Sequence, residues 1–199
     1  MIKRIFDFIF ACTGLIALLP VMVIISILIK IKMPGPVFFK QKRVGQFGEL
    51  FVMVKFRTMK VDHGGSSVSV KGESRITPLG EKLRKYKLDE LPELWNVIMG
   101  EMSFVGPRPD VPGYADQLLG EDRNILLLKP GITGPASMKY SNEEEILAFQ
   151  SDPKKYNDTV IYPDKVRINL EYLKRRNMVM DLWFIILTIV GKKPKYSWI

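Results

Sequence analysis

Apolar positions along the chain form one long block and several short ones. From Phe8 to Ile29 there are 22 consecutive uncharged residues rich in Ile, Leu, Val and Phe, with Lys3 and Arg4 before them and Lys30 and Lys32 after. At ~1.5 Å per residue an unbroken helix of that length reaches about 33 Å, enough to cross a hydrocarbon core. Pro20 removes a backbone hydrogen bond to the carbonyl of Ile16, which predicts a kink between arms of about 12 and 9 residues, each roughly half a bilayer deep. Basic flanks on both sides favour keeping both ends on the cytoplasmic face. These features favour a Pro20-kinked re-entrant membrane helix over 1–32, with an ordinary spanning signal anchor as the alternative, and Asp7 paired to Arg4 one turn away.

After the stop at Met33-Pro34-Gly35-Pro36, the pattern shortens into elements of a soluble domain over 33–199. Phe51 to Met59 alternates as a strand, with Lys55 and Arg57 on one face and Val52, Val54 and Phe56 on the other. Gly64 to Gly72 reads as a loop opened by His63, the only histidine. Helices are predicted over 78–87 and 88–99, the second with Asp89 as N-cap and Leu88, Leu91, Leu94, Trp95 and Ile98 on a buried stripe. Surface helices are predicted over 143–150 and 164–176. Leu182 to Val190 is too short to span, and its aromatic and lysine-rich surroundings fit either an interfacial segment or a buried terminal helix. The fold class expected is α+β, helix-rich, with a small β element.

Composition changes this picture in two ways. One cysteine, Cys12, excludes an internal disulfide framework in the 199 residues. Residues 30 to 88 hold 14 Lys/Arg against 4 acids, a net +10 in a chain of net +9, so an anionic partner is expected to meet that stretch. No nucleic-acid recognition motif accompanies the charge.

Candidate chemistry concentrates in Leu83 to Trp95. Asp89 and Glu90 follow directly on Arg84, Lys85 and Lys87. Such an arrangement suits phosphoryl chemistry, because one carboxylate can attack phosphorus or hold Mg²⁺ while cations neutralise phosphate oxygens. Lys55 and Arg57 on the strand, and Arg108 between Pro107 and Pro109, add phosphate-binding candidates; a guanidinium on a proline-restricted backbone loses little entropy on binding. With the apolar segment, these charges describe a basic site at a bilayer surface.

Six motifs in order carry a specific likeness: the apolar segment with central proline, Pro34-Gly35-Pro36-Val37-Phe38, Lys55-Phe56-Arg57-Thr58-Met59, Leu88-Asp89-Glu90-Leu91-Pro92-Glu93-Leu94, Val105-Gly106-Pro107-Arg108-Pro109 and Lys129-Pro130-Gly131-Ile132-Thr133-Gly134. Over residues 1 to about 135 the chain resembles the bacterial sugar transferase family, and within it the minimal monotopic phosphoglycosyl transferases. The resemblance implies transfer of a sugar 1-phosphate from a UDP-sugar to undecaprenyl phosphate at the cytoplasmic face of the inner membrane, releasing UMP and starting a glycoconjugate. It implies Asp89 as nucleophile, Glu90 as its partner at Mg²⁺, a phosphoaspartyl-sugar intermediate, and phosphate contacts from Arg84, Arg108, Lys55 and Arg57. Two departures stand out. Leu19 precedes Pro20 where many members have serine, and Ser141 falls where many have arginine, making Lys139 the candidate replacement. The competing expectation is a non-catalytic basic module that binds anionic lipid. Homodimer formation is left open.

Overall fold

A computed structural model describes residues 2–61 and 75–199; His63 and the predicted Gly64 to Gly72 loop lie outside the described residues. The chain forms two compact units. Among the described residues, 2–42, 52–61 and 75–100 form the first, and 43–51 and 101–199 the second. This grouping follows packing, and is a different partition from a membrane and a cytoplasmic part divided after residue 32.

In the first unit, α1 runs without interruption from Ile2 to Lys32 with Pro20 inside it. It is long and apolar enough to cross a membrane, with mean hydropathy 2.7 over a window only 11% buried. Its buried positions, Asp7, Ala11, Ile25 and Ile29, recur at helical spacing and mark one stripe. The other faces expose Ile5, Phe8, Ile9, Ile16, Ile24, Ile27 and Ile31. Toward its C-terminal end, Ile25, Ile29 and Met33 pack with Phe56 and Leu83. Toward its N-terminal end, Arg4 donates to the carbonyls of Val97 (2.6 Å) and Ile98 (2.7 Å), while Asp7 has the Lys3 ammonium at 3.8 Å. The expected Asp7–Arg4 pair gives way because carbonyls at a helix C-terminus offer Arg4 two acceptors.

Strands β1 (Phe38–Val44) and β2 (Leu50–Phe56) pair as a two-stranded sheet. In β2, Phe51 and Met53, on the face that carries Lys55, are buried and Val52 is exposed, while on the opposite face Phe56 is buried at the strand's end. Helix α2 (Pro78–Lys85) starts at Thr77, whose hydroxyl accepts from the Gly80 amide at 3.0 Å. A 3₁₀ turn (Leu88–Glu90) and α3 (Glu93–Met99) follow where one helix was expected. Pro92, lacking an N–H, takes the position before α3, and Asp89 makes no capping bond. Trp95 is 52% exposed, whereas Glu93, Leu94, Asn96 and Val97 are buried.

The second unit is built on β3 (Ser103–Val105) and β4 (Gly131–Thr133), which pair in parallel with Ser103 opposite Gly131 and Val105 opposite Thr133. Gly106 shows why this pair tolerates no larger residue: a Cβ there would lie 2.1 Å from the Lys129 carbonyl oxygen. Helices α4 (Pro135–Lys139), α5 (Glu143–Ala148), α6 (Pro153–Tyr156), α7 (Tyr162–Arg175) and α8 (Met178–Val190) complete it, with a π-helical turn (Asn157–Ile161) leading into α7. Val105, Leu128, Met138, Tyr172, Phe184 and Leu187 form its core. Helix α7 is half core, burying Val166, Ile168, Asn169 and Tyr172, rather than a surface helix. In α8, Asp181, Phe184 and Leu187 face inward, as in a terminal core helix, while Val179, Trp183, Ile186 and Ile189 are exposed.

Candidate active site

The first unit gathers three carboxylates and a lysine. Lys87 adopts a left-handed conformation (φ 56°) between α2 and the 3₁₀ turn, a backbone strain of order 1–3 kcal/mol for a residue with a Cβ. The reversal leaves Asp89 and Glu90 inside the unit, 7% and 8% exposed. Glu93, in the first turn of α3, is 3% exposed. From β2, the Lys55 ammonium lies 2.9 Å from Glu90 Oε1 and 3.0 Å from Glu93 Oε1. Asn96 fixes the distance between the two elements: its Nδ2 donates to the Val52 carbonyl at 2.8 Å and its Oδ1 accepts from the Val54 amide at 3.2 Å. Helix α3 is thereby bonded to the backbone of the strand that presents Lys55.

Asp89 differs from its neighbours. Its Oδ1 is buried and accepts no hydrogen bond. Burial, first, and the charge of Glu90, second, push its pKa above the ordinary carboxylate value of 3.8, while Lys55, Lys87 and Arg84 pull it back. Burial and Glu90 outweigh the cations, and the surroundings leave one oxygen unengaged. An ionised oxygen without donors is a better nucleophile than one whose lone pairs are occupied.

The remaining candidates lie in different settings. Arg84 is in the last turn of α2 and acts electrostatically on Asp89. Arg57, 6% exposed, is committed elsewhere: its guanidinium donates to the carbonyls of Met33 and Pro34 (3.0 Å for Pro34), fastening the end of β2 to the exit from α1. Its Nε, also buried, has no acceptor. Arg108 and Lys139 belong to the second unit. Arg108 is exposed, and Lys139 pairs with Asp164 at 2.8 Å, an aspartate that also accepts from Tyr140 and Arg167. Those donors hold the Asp164 carboxyl down at about 2, even though its partial burial works in the opposite direction.

Sequence reasoning missed Glu93, Asn96 and Asp110. An acid and an amide among the apolar positions of a short helix were the available signal for the first two. Asp110, directly after the Pro-Arg-Pro run, has no such signal; burial raises its pKa to about 6, against the lowering effect of Lys165, the Tyr162 hydroxyl and Arg43.

The family model described as "Bacterial sugar transferase" matches residues 1–192. The chain belongs to the bacterial sugar transferase family. Over 98% of its length it is 35% identical to the UDP-glucose:undecaprenyl-phosphate glucose-1-phosphate transferase of Xanthomonas campestris pv. campestris, of which it spans 40%. A protein of the same name from Escherichia coli (strain K12) is 33% identical over 95% of the chain, which covers 39% of it. The exopolysaccharide production protein PSS of Rhizobium leguminosarum bv. phaseoli is 33% identical over 96% of the chain and is itself covered to 95%. The bacterial sugar transferase motifs Lys55 to Met59 and Leu88 to Leu94 meet in one place in this fold. Val105 to Pro109 and Lys129 to Gly134 meet in another, where they form the β3–β4 pair.

Proposed function

We propose that this sugar transferase moves a sugar 1-phosphate from a UDP-sugar to undecaprenyl phosphate, with release of UMP, through a covalent intermediate on Asp89. The observation that carries the reading is the buried Asp89 Oδ1 without a hydrogen-bond donor, one residue from Glu90 and within the field of Lys55, Lys87 and Arg84. In the first step an Asp89 oxygen forms a bond to the β-phosphorus. The bond from that phosphorus to the bridging oxygen breaks, and the electron pair leaves with UMP. In the second, a polyprenyl phosphate oxygen bonds to the same phosphorus and the bond to Asp89 breaks, regenerating the carboxylate. Two displacements let an aqueous donor and a lipid acceptor react without being bound together. Lys55 supplies positive charge where oxygens of the phosphoryl group gain negative charge.

The resemblance also implies Mg²⁺. Among the described residues no three His, Cys, Asp or Glu side chains are arranged to hold a metal by themselves. Mg²⁺ commonly takes one or two carboxylates and fills its remaining positions with water and phosphate oxygens, and Glu90 beside Asp89 fits that donor set. Bound there, the ion would neutralise diphosphate oxygens and favour departure of UMP.

The same reading places α1 as a re-entrant helix with both ends on the cytoplasmic side. In support, elements that follow α1 in sequence line it from Arg4, at Val97 and Ile98, to Met33, at Phe56 and Leu83. A straight crossing would draw those elements across the bilayer with it. The exposed stripe of α8, followed by Lys192 and Lys193, fits a helix resting at the headgroups.

The test is UMP release from UDP-glucose, UDP-galactose and their N-acetyl derivatives with undecaprenyl phosphate and Mg²⁺, alongside mass-spectrometric trapping of a sugar-phosphate adduct. Turnover with an adduct on Asp89 is expected. Product formation with no adduct there would remove the covalent step, and no turnover with any donor would leave the lipid-binding module as the better account. Reporters at the N-terminus and at the exposed Tyr86 should both be cytoplasmic; opposite sides would refute re-entry.

A further inference from the structure

Glu93 has no part in the chemistry above, yet it is the least exposed of the three carboxylates, at 3% against 7% for Asp89 and 8% for Glu90. A carboxylate taken this far from water is retained only with a strong partner, and a glutamine of nearly the same volume would fill the space without the desolvation penalty. Its negative charge therefore calls for a reason beyond packing. The partner on hand is Lys55, whose ammonium bridges Glu93 and Glu90 at 3.0 and 2.9 Å.

An ammonium has three N–H donors. Lys55 donates to Glu90 Oε1 and forms an ion pair with Glu93, which leaves donor capacity for a phosphate oxygen. When Glu90 turns toward a cation held by the donor's diphosphate, its contact with Lys55 is the one given up. Glu93 then remains as the anchor. It is suited to that task, because α3 is bonded through Asn96 to the backbone of β2 at Val52 and Val54, so carboxylate and lysine sit on elements held in register.

We propose that Glu93 is a positioning residue for Lys55, holding its ammonium beside Asp89 and Glu90 while Glu90 engages the donor. This rests on the phosphoglycosyl-transfer reading and adds a residue that acts only through another. Because the tether orients a charge needed as phosphorus is attacked, its loss falls on kcat more than on KM.

The experiment uses the full chain in nanodiscs and compares the native protein with Glu93→Gln, Glu93→Asp, Lys55→Met and the Lys55→Met/Glu93→Gln pair, at saturating Mg²⁺, with the UDP-sugar that turns over in the panel above. Glu93→Gln is expected to lower kcat about tenfold with KM within about twofold, and the double variant to be no slower than Lys55→Met alone. Glu93→Asp, which keeps the charge, should recover part of the rate. Additive losses in the double variant, or native kcat in Glu93→Gln, overturn the proposal. A second readout needs no turnover: in ¹⁵N-lysine-labelled protein, the native chain should show a slowly exchanging Lys55 Nζ signal that Glu93→Gln lacks. If the native chain releases no UMP, the functional reading fails while this comparison still decides the tether. Persistence of the signal in Glu93→Gln refutes it.

Discussion

Replacing Asp110 by asparagine isolates a single partly buried carboxyl in the second unit. Its Oδ2 accepts from the Tyr162 hydroxyl at 3.3 Å, Lys165 and Arg43 attract it, Glu143 repels it, and burial outweighs the attractions to leave its pKa at about 6. Relative to the ordinary 3.8 this is an increase of roughly two units, or about 3 kcal/mol at 1.36 kcal/mol per unit. The folded chain keeps a proton that the unfolded chain has released between about pH 4 and pH 6. Stability from this group is thus fully present below pH 4 and is lost as pH rises to 6. Asparagine keeps an acceptor for Tyr162 and never ionises. Asp110→Asn should be close to native in stability at pH 4 and more stable by up to about 3 kcal/mol at pH 8, which for a chain of this size is roughly 6–12 °C in Tm. Intrinsic-fluorescence melts of both proteins across pH 4–8 measure it. A Tm difference that does not change with pH, or an asparagine variant less stable at pH 8, would refute the assignment of a net burial penalty to this carboxyl.

Asp89→Asn should abolish UMP release and at the same time raise Tm at pH 7.5, because the raised Asp89 pKa means that its ionised form is held at a cost; a melt of the inactive variant that falls below native would contradict this. Asn96→Ala removes both bonds to β2 and should cost about 2 kcal/mol, with kcat falling as Lys55 loses its register, measurable by urea unfolding and UMP release. Gly134→Ala would put a Cβ 2.2 Å from the Gly106 carbonyl oxygen, so the variant should lose upwards of about 2 kcal/mol, and native-like melting would refute the close packing of β3 and β4.

Sequence pattern and structure agree where the signal is local. The apolar block, the helix beginning at Pro78 and the ordered motifs were all legible, since each depends on residues a few positions apart. The parity of β2 was legible too, with Lys55 opposite in face to Val52, but not which face is covered. Two-residue alternation defines faces and leaves the choice between them to whatever packs alongside.

What the chain by itself determined is an unusually apolar N-terminal helix, a basic stretch beside paired carboxylates, and motifs sufficient to place it among the bacterial sugar transferases. Only the tertiary structure decided that Arg57 donates to the carbonyls of Met33 and Pro34, that Trp95 faces outward while Glu93 and Asn96 face inward, and that one lysine bridges two of three buried acids. Those outcomes depend on segments tens of residues apart. The energy of a buried charge is set by which distant partner reaches it, and spacing along a single strand or helix carries no record of that partner.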